Sequence, residues 1–281
     1  MNFHSYKVYV VLVTWNNQND IFDCLKSIEN QTWKNLQIIV VDNNSFDKTT
    51  KIIETYFPHV KLLKSQKNLY FTGGYNFGIN FVLKNFHPEF ILIANPDTVF
   101  DRDLILNLME SILKNERIGA VGPKIKFLNG KHHQKLYSCG IIYDGFMQTS
   151  QRGTLQEDRG QFDKKVKVFG IEGTCILFRV KMLKNIGLFW EKLQMYLEDV
   201  ELFIRANKAK WKAVFVPKAL LWHKVMRSTS QNRNIKVEQM KMRNWLLIAL
   251  RHYKLLSKLA MLKKFLKFKL FSRNKLNEIY R

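Results

Sequence analysis

The chain has 281 residues with 46 Lys+Arg against 23 Asp+Glu, a formal net charge of +23. At 46% hydrophobic and 13% aromatic it carries enough apolar material for a packed core, which excludes a wholly disordered basic protein. Its three widely separated cysteines, Cys24, Cys139 and Cys175, exclude a disulfide framework or a Cys-rich zinc site and suit a reducing compartment. Met1 to Tyr6 is polar, so no secretory signal is expected. The longest apolar runs, such as Val8 to Val13 and Trp245 to Leu250, fall far short of the roughly 20 residues that cross a bilayer. A soluble or peripheral protein is expected.

In chain order, the first hundred residues alternate apolar, β-rich runs with amphipathic stretches, the pattern of βαβ units on a parallel sheet. Strands are expected at Val8 to Val13, Leu36 to Val41, Val60 to Leu63 and Phe90 to Ala94. Helices are expected from Asp20 as cap to Ile28, from Asp47 to Tyr56 with Ser45 as cap, and from Tyr75 to Lys84, with Gly73-Gly74 as the entry loop. A helix over Asp103 to Asn115 and a strand over Gly119 to Phe127 follow. Gln148 to Lys165 reads as a loop or mobile insertion. Val166 to Arg179 returns to the sheet, a helix runs to Lys208, and a last strand spans Ala213 to Val216, ending at Pro217. Ligands of such sheets sit at the carboxyl ends of the strands, where the loops at Thr14, Asp42, Asn68 and Asp97 open.

Several clusters carry chemistry, each with an ordinary reading beside it. Asn95-Pro96-Asp97 puts a carboxylate at the end of a buried strand, where it can hold a divalent cation bridging two phosphates, or can cap the next helix. Glu198-Asp199 with Glu201 sets acids beside an apolar stretch. One of them can serve as a general base, or all can favour a helix N-terminus; on a helix Asp199 and Glu201 do not share a face. His223 follows a strand and is either a metal ligand or a core histidine. His132-His133 reads as a solvated turn. The stretch from Gly73 to Gly78 lacks both the dinucleotide and the P-loop spacing, yet its glycines admit close backbone approach to a ligand.

The order of these pieces is more telling than any one of them. Val13-Thr14-Trp15-Asn16, Val40 to Ser45, Asn68 with Gly73-Gly74-Tyr75-Asn76, Asn95-Pro96-Asp97-Thr98, Glu172-Gly173-Thr174, Gly187-Leu188-Phe189, Glu198 to Leu202 and His223 form a series over residues 8 to 223. That series resembles the family 2 glycosyltransferases, in particular the branch of bacterial rhamnosyltransferases. The resemblance implies a GT-A fold, with a Rossmann-like nucleotide-binding half (about 1–100) on a mixed sheet fused to an acceptor-binding half (about 101–223). It also implies a nucleotide-diphosphate sugar and a divalent cation, Mg²⁺ or Mn²⁺. By position, Thr14, Trp15, Asp42 and Asn43 look like the base and ribose pocket, with Asn68, Gly74, Asn76, Asn95 and Asp97 completing the donor side. Asp97 matches the last acid of the family's D-x-D metal motif, whose first acid is Asn95 here, and His223 matches a metal-binding histidine. Asp199 matches the catalytic base, with Glu172, Glu198 and Glu201 at the acceptor or in support. An inverting transfer follows from that assignment.

The charge is uneven. Lys224 to Arg281 holds 16 Lys+Arg and two Glu in 58 residues, a net of +14, so a basic, helical C-terminal region (224–281) is set apart from a mildly basic body. On a helical wheel Leu255, Leu259, Leu262, Leu266 and Leu270 form one stripe flanked by lysines, suited to an anionic membrane surface or to packing on the protein's own core. Nucleic acid is not an expected partner, since no recognition motif appears and the excess lies outside the motif-bearing body. The expected partners are a donor, deoxythymidine-diphosphate (dTDP) rhamnose or a UDP-sugar (hexose or galactofuranose), and a lipid-linked glycan acceptor. The expected place is the cytoplasmic side of the membrane, peripherally attached.

Overall fold

A computed structural model describes residues 5–143, 148–224 and 231–279, with side chains of the last stretch described from 235 to 267. The early apolar runs become strands because each is covered on both faces. In β1 (Val8–Thr14) Val8, Val10 and Leu12 face one core, while Tyr9 and Val11 face another. Such two-sided burial explains why the strand is continuously apolar rather than alternating. Helix α1 (Ile21–Glu29), β2 (Leu36–Asp42), α2 (Thr49–Tyr56), β3 (Lys61–Lys64), α3 (Tyr70–Asn85) and β4 (Phe90–Ala94) follow. Then come β5 (Thr98–Phe100), α4 (Leu104–Leu113), β6 (Ile118–Phe127), β7 (Leu136–Ser138), β8 (Ile141–Tyr143), β9 (Thr149–Gln151), β10 (Val166–Val168) and β11 (Cys175–Arg179). The chain continues through α5 (Val180–Ile186), α6 (Glu198–Lys208), β12 (Lys212–His223), α7 (Gln231–His252) and α8 (Leu255–Ile279).

The main sheet runs β3-β2-β1-β4-β11-β6-β12-β10, with β5 on β12 and β7 on β6. Strands β1 to β4 are mutually parallel, β11 is antiparallel to both β4 and β6, and β12 is parallel to β6. This mixed α/β sheet is a GT-A architecture, and its reversal at β11 has a functional consequence. Cys175 pairs with Ala94, so the residues just before β11 arrive at the same edge as the residues just after β4. Helices α1, α2 and α4 pack on one face and α3, α5 and α6 on the other.

Local expectations failed where packing overrode them. Helix α3 begins at Tyr70, so Gly73-Gly74 lie inside it rather than before it. A Cβ on Gly74 would stand 2.6 Å from Val13 Cγ1, and one on Gly78 2.5 Å from Val11 Cγ1, so these glycines let the helix lie directly on β1. Strand β12 continues through Pro217 because a register shift between Val216 and Leu220 absorbs the missing donor. Ser45 caps no helix, and α2 instead starts at Thr49, whose N–H donates to Asp47 Oδ1 at 2.9 Å. Asp20 flanks α1 but makes no side-chain cap, and its carboxylate faces Lys224 at 3.5 Å. The 148–165 stretch is anchored: buried Lys124 bonds both Asp158 (3.0 Å) and Asp163 (2.5 Å). His133 turns its Nδ1 to the Leu128 carbonyl in a short turn.

The composition boundary near His223 is not a packing boundary. Ile248 of α7 packs with Val200 and Ile204 of α6, and Ala249 packs with Met261 of α8. By contrast Leu255, Leu256, Leu259, Leu262 and Leu266 of α8 are exposed, and the Leu270 side chain lies outside the described residues. Among the described residues no helix is long and apolar enough to cross a membrane.

Candidate active site

A cleft of about 610 Å³ opens along the carboxyl ends of β1 and β4 and is closed by the segments around β9, Glu172 and the start of α6. Its first wall is built by two interlocked turns. Thr14 ends β1 in register with Asp42, and Asn17 Oδ1 accepts bonds from the Thr14 hydroxyl and the Trp15 amide, both at 3.0 Å. Asn16, left-handed at φ +58°, donates its N–H to Ser45 Oγ (2.9 Å) and accepts the Phe46 N–H (3.0 Å). Trp15 and Phe46 are consequently held at the surface with ring centroids 6.3 Å apart, an exposed aromatic shelf that suits a planar base. Asn43 lines the cleft and donates its amide to the Tyr70 carbonyl at 2.9 Å, while Asn68 accepts the Tyr70 N–H at 2.7 Å. Asp42 is buried outside the lining. Its Oδ2 accepts the Ser45 N–H at 3.1 Å, and its Oδ1 has no partner among the described residues.

The second wall depends on the sheet. Asn95 follows β4, with its N–H on the Thr174 carbonyl (2.9 Å) and its Oδ1 near the Tyr75 hydroxyl (3.3 Å). Strand β5 then pairs Thr98 with His223, so a histidine 126 positions away sets its Nε2 3.2 Å from Asp97 Oδ2. Asp97 caps no helix, since α4 starts only at Leu104. Burial opposes charge on His223, but the hydrogen bond and charge of Asp97 outweigh it and hold the imidazole above its ordinary range. Among the described residues the buried His223 Nδ1 has no hydrogen-bond partner, and the Tyr137 ring meets the imidazole edge-on at 4.8 Å. One carboxylate and one imidazole suit a Mg²⁺ or Mn²⁺ ion that arrives on a diphosphate, because such an ion takes its remaining ligands from phosphate and water. Among the described residues no group of three or more His, Cys, Asp or Glu could cage a metal alone.

The third wall holds the acids. Asp199, in the first turn of α6, accepts the Gly173 N–H on Oδ2 (3.1 Å) and its neighbour Val200's N–H on Oδ1 (2.7 Å). Burial, followed by the charge of Glu172, raises its carboxyl to about 7. Glu198 is pushed well above the carboxylate range by burial and then by Asp199, and its buried Oε2 has no partner among the described residues. Glu172 is raised by burial although it accepts the Thr174 N–H at 3.0 Å. Of the adjacent pair, Glu198 keeps its proton and Asp199 is the acid able to exchange one near neutral pH.

Besides Asp42, three expected site residues lie outside the lining. Gly74 packs against Val13 and Asn43 inside α3. Asn76 is buried away from the cleft, bonding the Phe189 carbonyl (2.9 Å), the Phe189 N–H (3.1 Å) and Glu191 (2.9 Å), so it ties α3 to the segment before α6. Glu201 is a support residue: fully buried, it is gripped by Arg205 (2.7 Å), Arg251 (3.1 Å) and His252 (2.9 Å). Several lining residues were missed, among them Asn17, Tyr137 and Lys241. Asn17 follows a strand end and had a signal in its position, whereas Tyr137 and Lys241 reach the cleft only through the sheet reversal and α7; Phe46 lies outside the lining, against Trp15.

The family model described as "Glycosyl transferase family 2" matches residues 9–187. The N-acetylglucosaminyl-diphospho-decaprenol L-rhamnosyltransferase of Mycobacterium tuberculosis is 26% identical over 242 residues, covering 79% of this chain and 78% of the relative. Among solved structures, the mannosyltransferase PcManGT of Pyrobaculum calidifontis, in complex with GDP-Man and Mn²⁺, superposes with a TM-score of 0.60 at 15% identity, covering 96% of this chain and 71% of that one. GalNAc-T7 with UDP, GalNAc and Mn²⁺ gives a TM-score of 0.69 at 16% identity over 87% of this chain, which spans 47% of that protein. At such identities the structural likeness speaks to the fold, and the match over residues 9–187 to the lineage: this chain belongs to glycosyltransferase family 2.

Proposed function

We propose that the chain is an inverting glycosyltransferase that moves rhamnose from dTDP-rhamnose to a hydroxyl of a lipid-linked surface-polysaccharide acceptor. The observation that carries this reading is the meeting, in one cleft, of the Asp97–His223 pair with a carboxylate, Asp199, that burial raises to about 7. Thr14, Trp15, Asn43 and Asn68 would hold the nucleoside, with Phe46 beside Trp15. Asp97 and His223 would hold a divalent cation. When bound, that cation supplies charge compensation for the departing diphosphate.

Asp199 takes the proton of the acceptor hydroxyl as the hydroxyl oxygen bonds to the anomeric carbon. The bond from that carbon to the diphosphate breaks, its electron pair leaves with the nucleoside diphosphate, and the configuration inverts. Glu198, kept neutral, leaves Asp199 as the ionised member of the pair. Tyr196, Met195 and Lys241 line the same cleft and would face the acceptor. The name of the mycobacterial relative supports a prenyl-diphosphate-linked acceptor, and the exposed leucines of α8 beside its lysines support adsorption to the anionic cytoplasmic face of the membrane.

A thermal-shift screen with dTDP-rhamnose, UDP-hexoses and UDP-galactofuranose, each with and without Mn²⁺ or Mg²⁺, tests the donor. A ligand at about 100 times its Kd stabilises by about 2.7 kcal/mol. A metal-dependent rise with dTDP-rhamnose is expected. A rise only with a UDP-sugar replaces the donor, and no rise with any of them removes the reading.

A further inference from the structure

The backbone that leads into Asp199 is strained. Gln194, Tyr196 and Leu197 are left-handed at φ +62°, +69° and +66°, a conformation that none of these residue types adopts readily. Leu197 is the last residue before α6, and its carbonyl accepts the Glu201 N–H at 3.0 Å, so these angles set the direction of the helix turn that carries Asp199. Such a segment persists only if its surroundings over-determine it.

Two elements do so. From α3, Thr72 donates its N–H to the Gln194 carbonyl at 3.0 Å. From α7, Asn244, fully buried, brings its Nδ2 within 2.9 Å of the Leu193 carbonyl and 2.8 Å of both the Met195 and Tyr196 carbonyls. Beside it, Arg243 donates to the Lys192 carbonyl at 2.7 Å. The Leu193 carbonyl also accepts the Met195 N–H at 2.7 Å, but the Met195 and Tyr196 carbonyls depend on the Asn244 amide. A buried carbonyl left without a donor is destabilising, so loss of that amide would favour rearrangement of the strained segment.

We infer that Asn244 is a positioning residue for transfer: its side-chain amide gathers the carbonyls of Leu193, Met195 and Tyr196 and so fixes the left-handed approach that aims Asp199 into the cleft. The inference rests on the reading of Asp199 as the base. It assigns part of the catalytic apparatus to a helix beyond the matched family segment, which ends at residue 187.

The full chain, assayed with dTDP-rhamnose and a prenyl-diphosphate N-acetylglucosamine acceptor, tests it. In Asn244→Ala, kcat falls about 100-fold, the loss expected of a misplacement of about 1 Å, while donor KM stays within about threefold. Asn244→Ser, which keeps one donor, falls between this variant and the native protein and covers the case in which the alanine variant does not fold. Arg251→Ala removes one of the two contacts that this helix makes to Glu201, leaving His252, and its stacking on the Trp190 ring, without touching the carbonyls that Asn244 binds. It lowers Tm while keeping kcat within about threefold, as expected where positioning rather than overall stability governs the rate. Native kcat in a folded Asn244 variant, or kcat falling in step with Tm in both the Asn244 and the Arg251 variants, overturns the inference. Asp199→Asn separates the two readings: if it turns over normally the base assignment fails, and if it is inactive while the Asn244 variants are active only the positioning role fails.

Discussion

Helices α7 and α8 lie side by side in one basic stretch, and composition does not distinguish them. Their surroundings do. Helix α7 carries buried Asn244, Ile248 and Ala249 and sends Arg251 and His252 to the buried carboxylate of Glu201. Among its described side chains α8 buries Met261 against α7 and leaves five leucines in solvent. Two helices of like charge therefore do different jobs. The first is part of the wall that holds Asp199, and the second presents an apolar stripe flanked by lysines. Net charge located the region, but partners define its parts.

Truncation should break the pair apart most clearly. A chain ending at residue 224 exposes Val200 and Ile204 and leaves Glu201 without Arg251 and His252, so loss of transfer and a large fall in Tm are expected. A chain ending at residue 254 should keep donor binding, lose adsorption to vesicles, and lower Tm only by the loss of the Ala249–Met261 packing, far less than the shorter chain. Next in size, Glu201→Ala leaves Arg205 as a buried cation beside the cleft wall and should cost about 3–5 kcal/mol in chemical denaturation. In α8, Leu259→Asp with Leu262→Asp should weaken flotation with phosphatidylglycerol vesicles by about tenfold or more, since each lost apolar contact is worth about 1 kcal/mol or more. Unfolding free energy should stay within about 0.5 kcal/mol, because both sites are exposed.

The smallest predicted effect is graded with pH and reports on the wall that α7 backs. As the proposed base, Asp199 would act only when ionised, so kcat should rise through a limb near pH 7 and then level off. Stability should move the other way. The folded protein holds this proton up to about 7 while the unfolded chain releases it near about 4, so stability falls as pH rises across that window. Glu172 and Glu198, raised in the same direction, add to the slope. Parallel kcat and Tm series from pH 5 to 9 check both signs.

What was legible in the sequence was local. Continuous apolar runs give buried strands, and Asn95-Pro96-Asp97 at the end of one of them places Asp97 at the correct edge without reference to the rest of the chain. The ordered series of motifs carried the GT-A fold and the family. What stayed hidden depends on residues far away in sequence. Asn76 looks like a ligand group beside glycines until Phe189 and Glu191, more than a hundred positions on, absorb its amide. Gly73-Gly74 look like a loop because the close packing of Gly74 on Val13 cannot be seen in their own neighbours. Asn244 sits in a run of basic and apolar residues with no motif, and its meaning comes only from three carbonyls about fifty positions earlier. Pro217 marks a strand end on local rules, but the register shift in β12 accommodates it.

The central claim is that Asp199 is the base of a sugar transfer carried out in this cleft. The most direct measurement is single-turnover transfer by Asp199→Asn beside calorimetric binding of dTDP-rhamnose with Mn²⁺. The account predicts transfer reduced by about a thousandfold, within the range that a positioned general base contributes, with donor affinity unchanged within a few-fold. Transfer at the native rate with the donor still bound would contradict it.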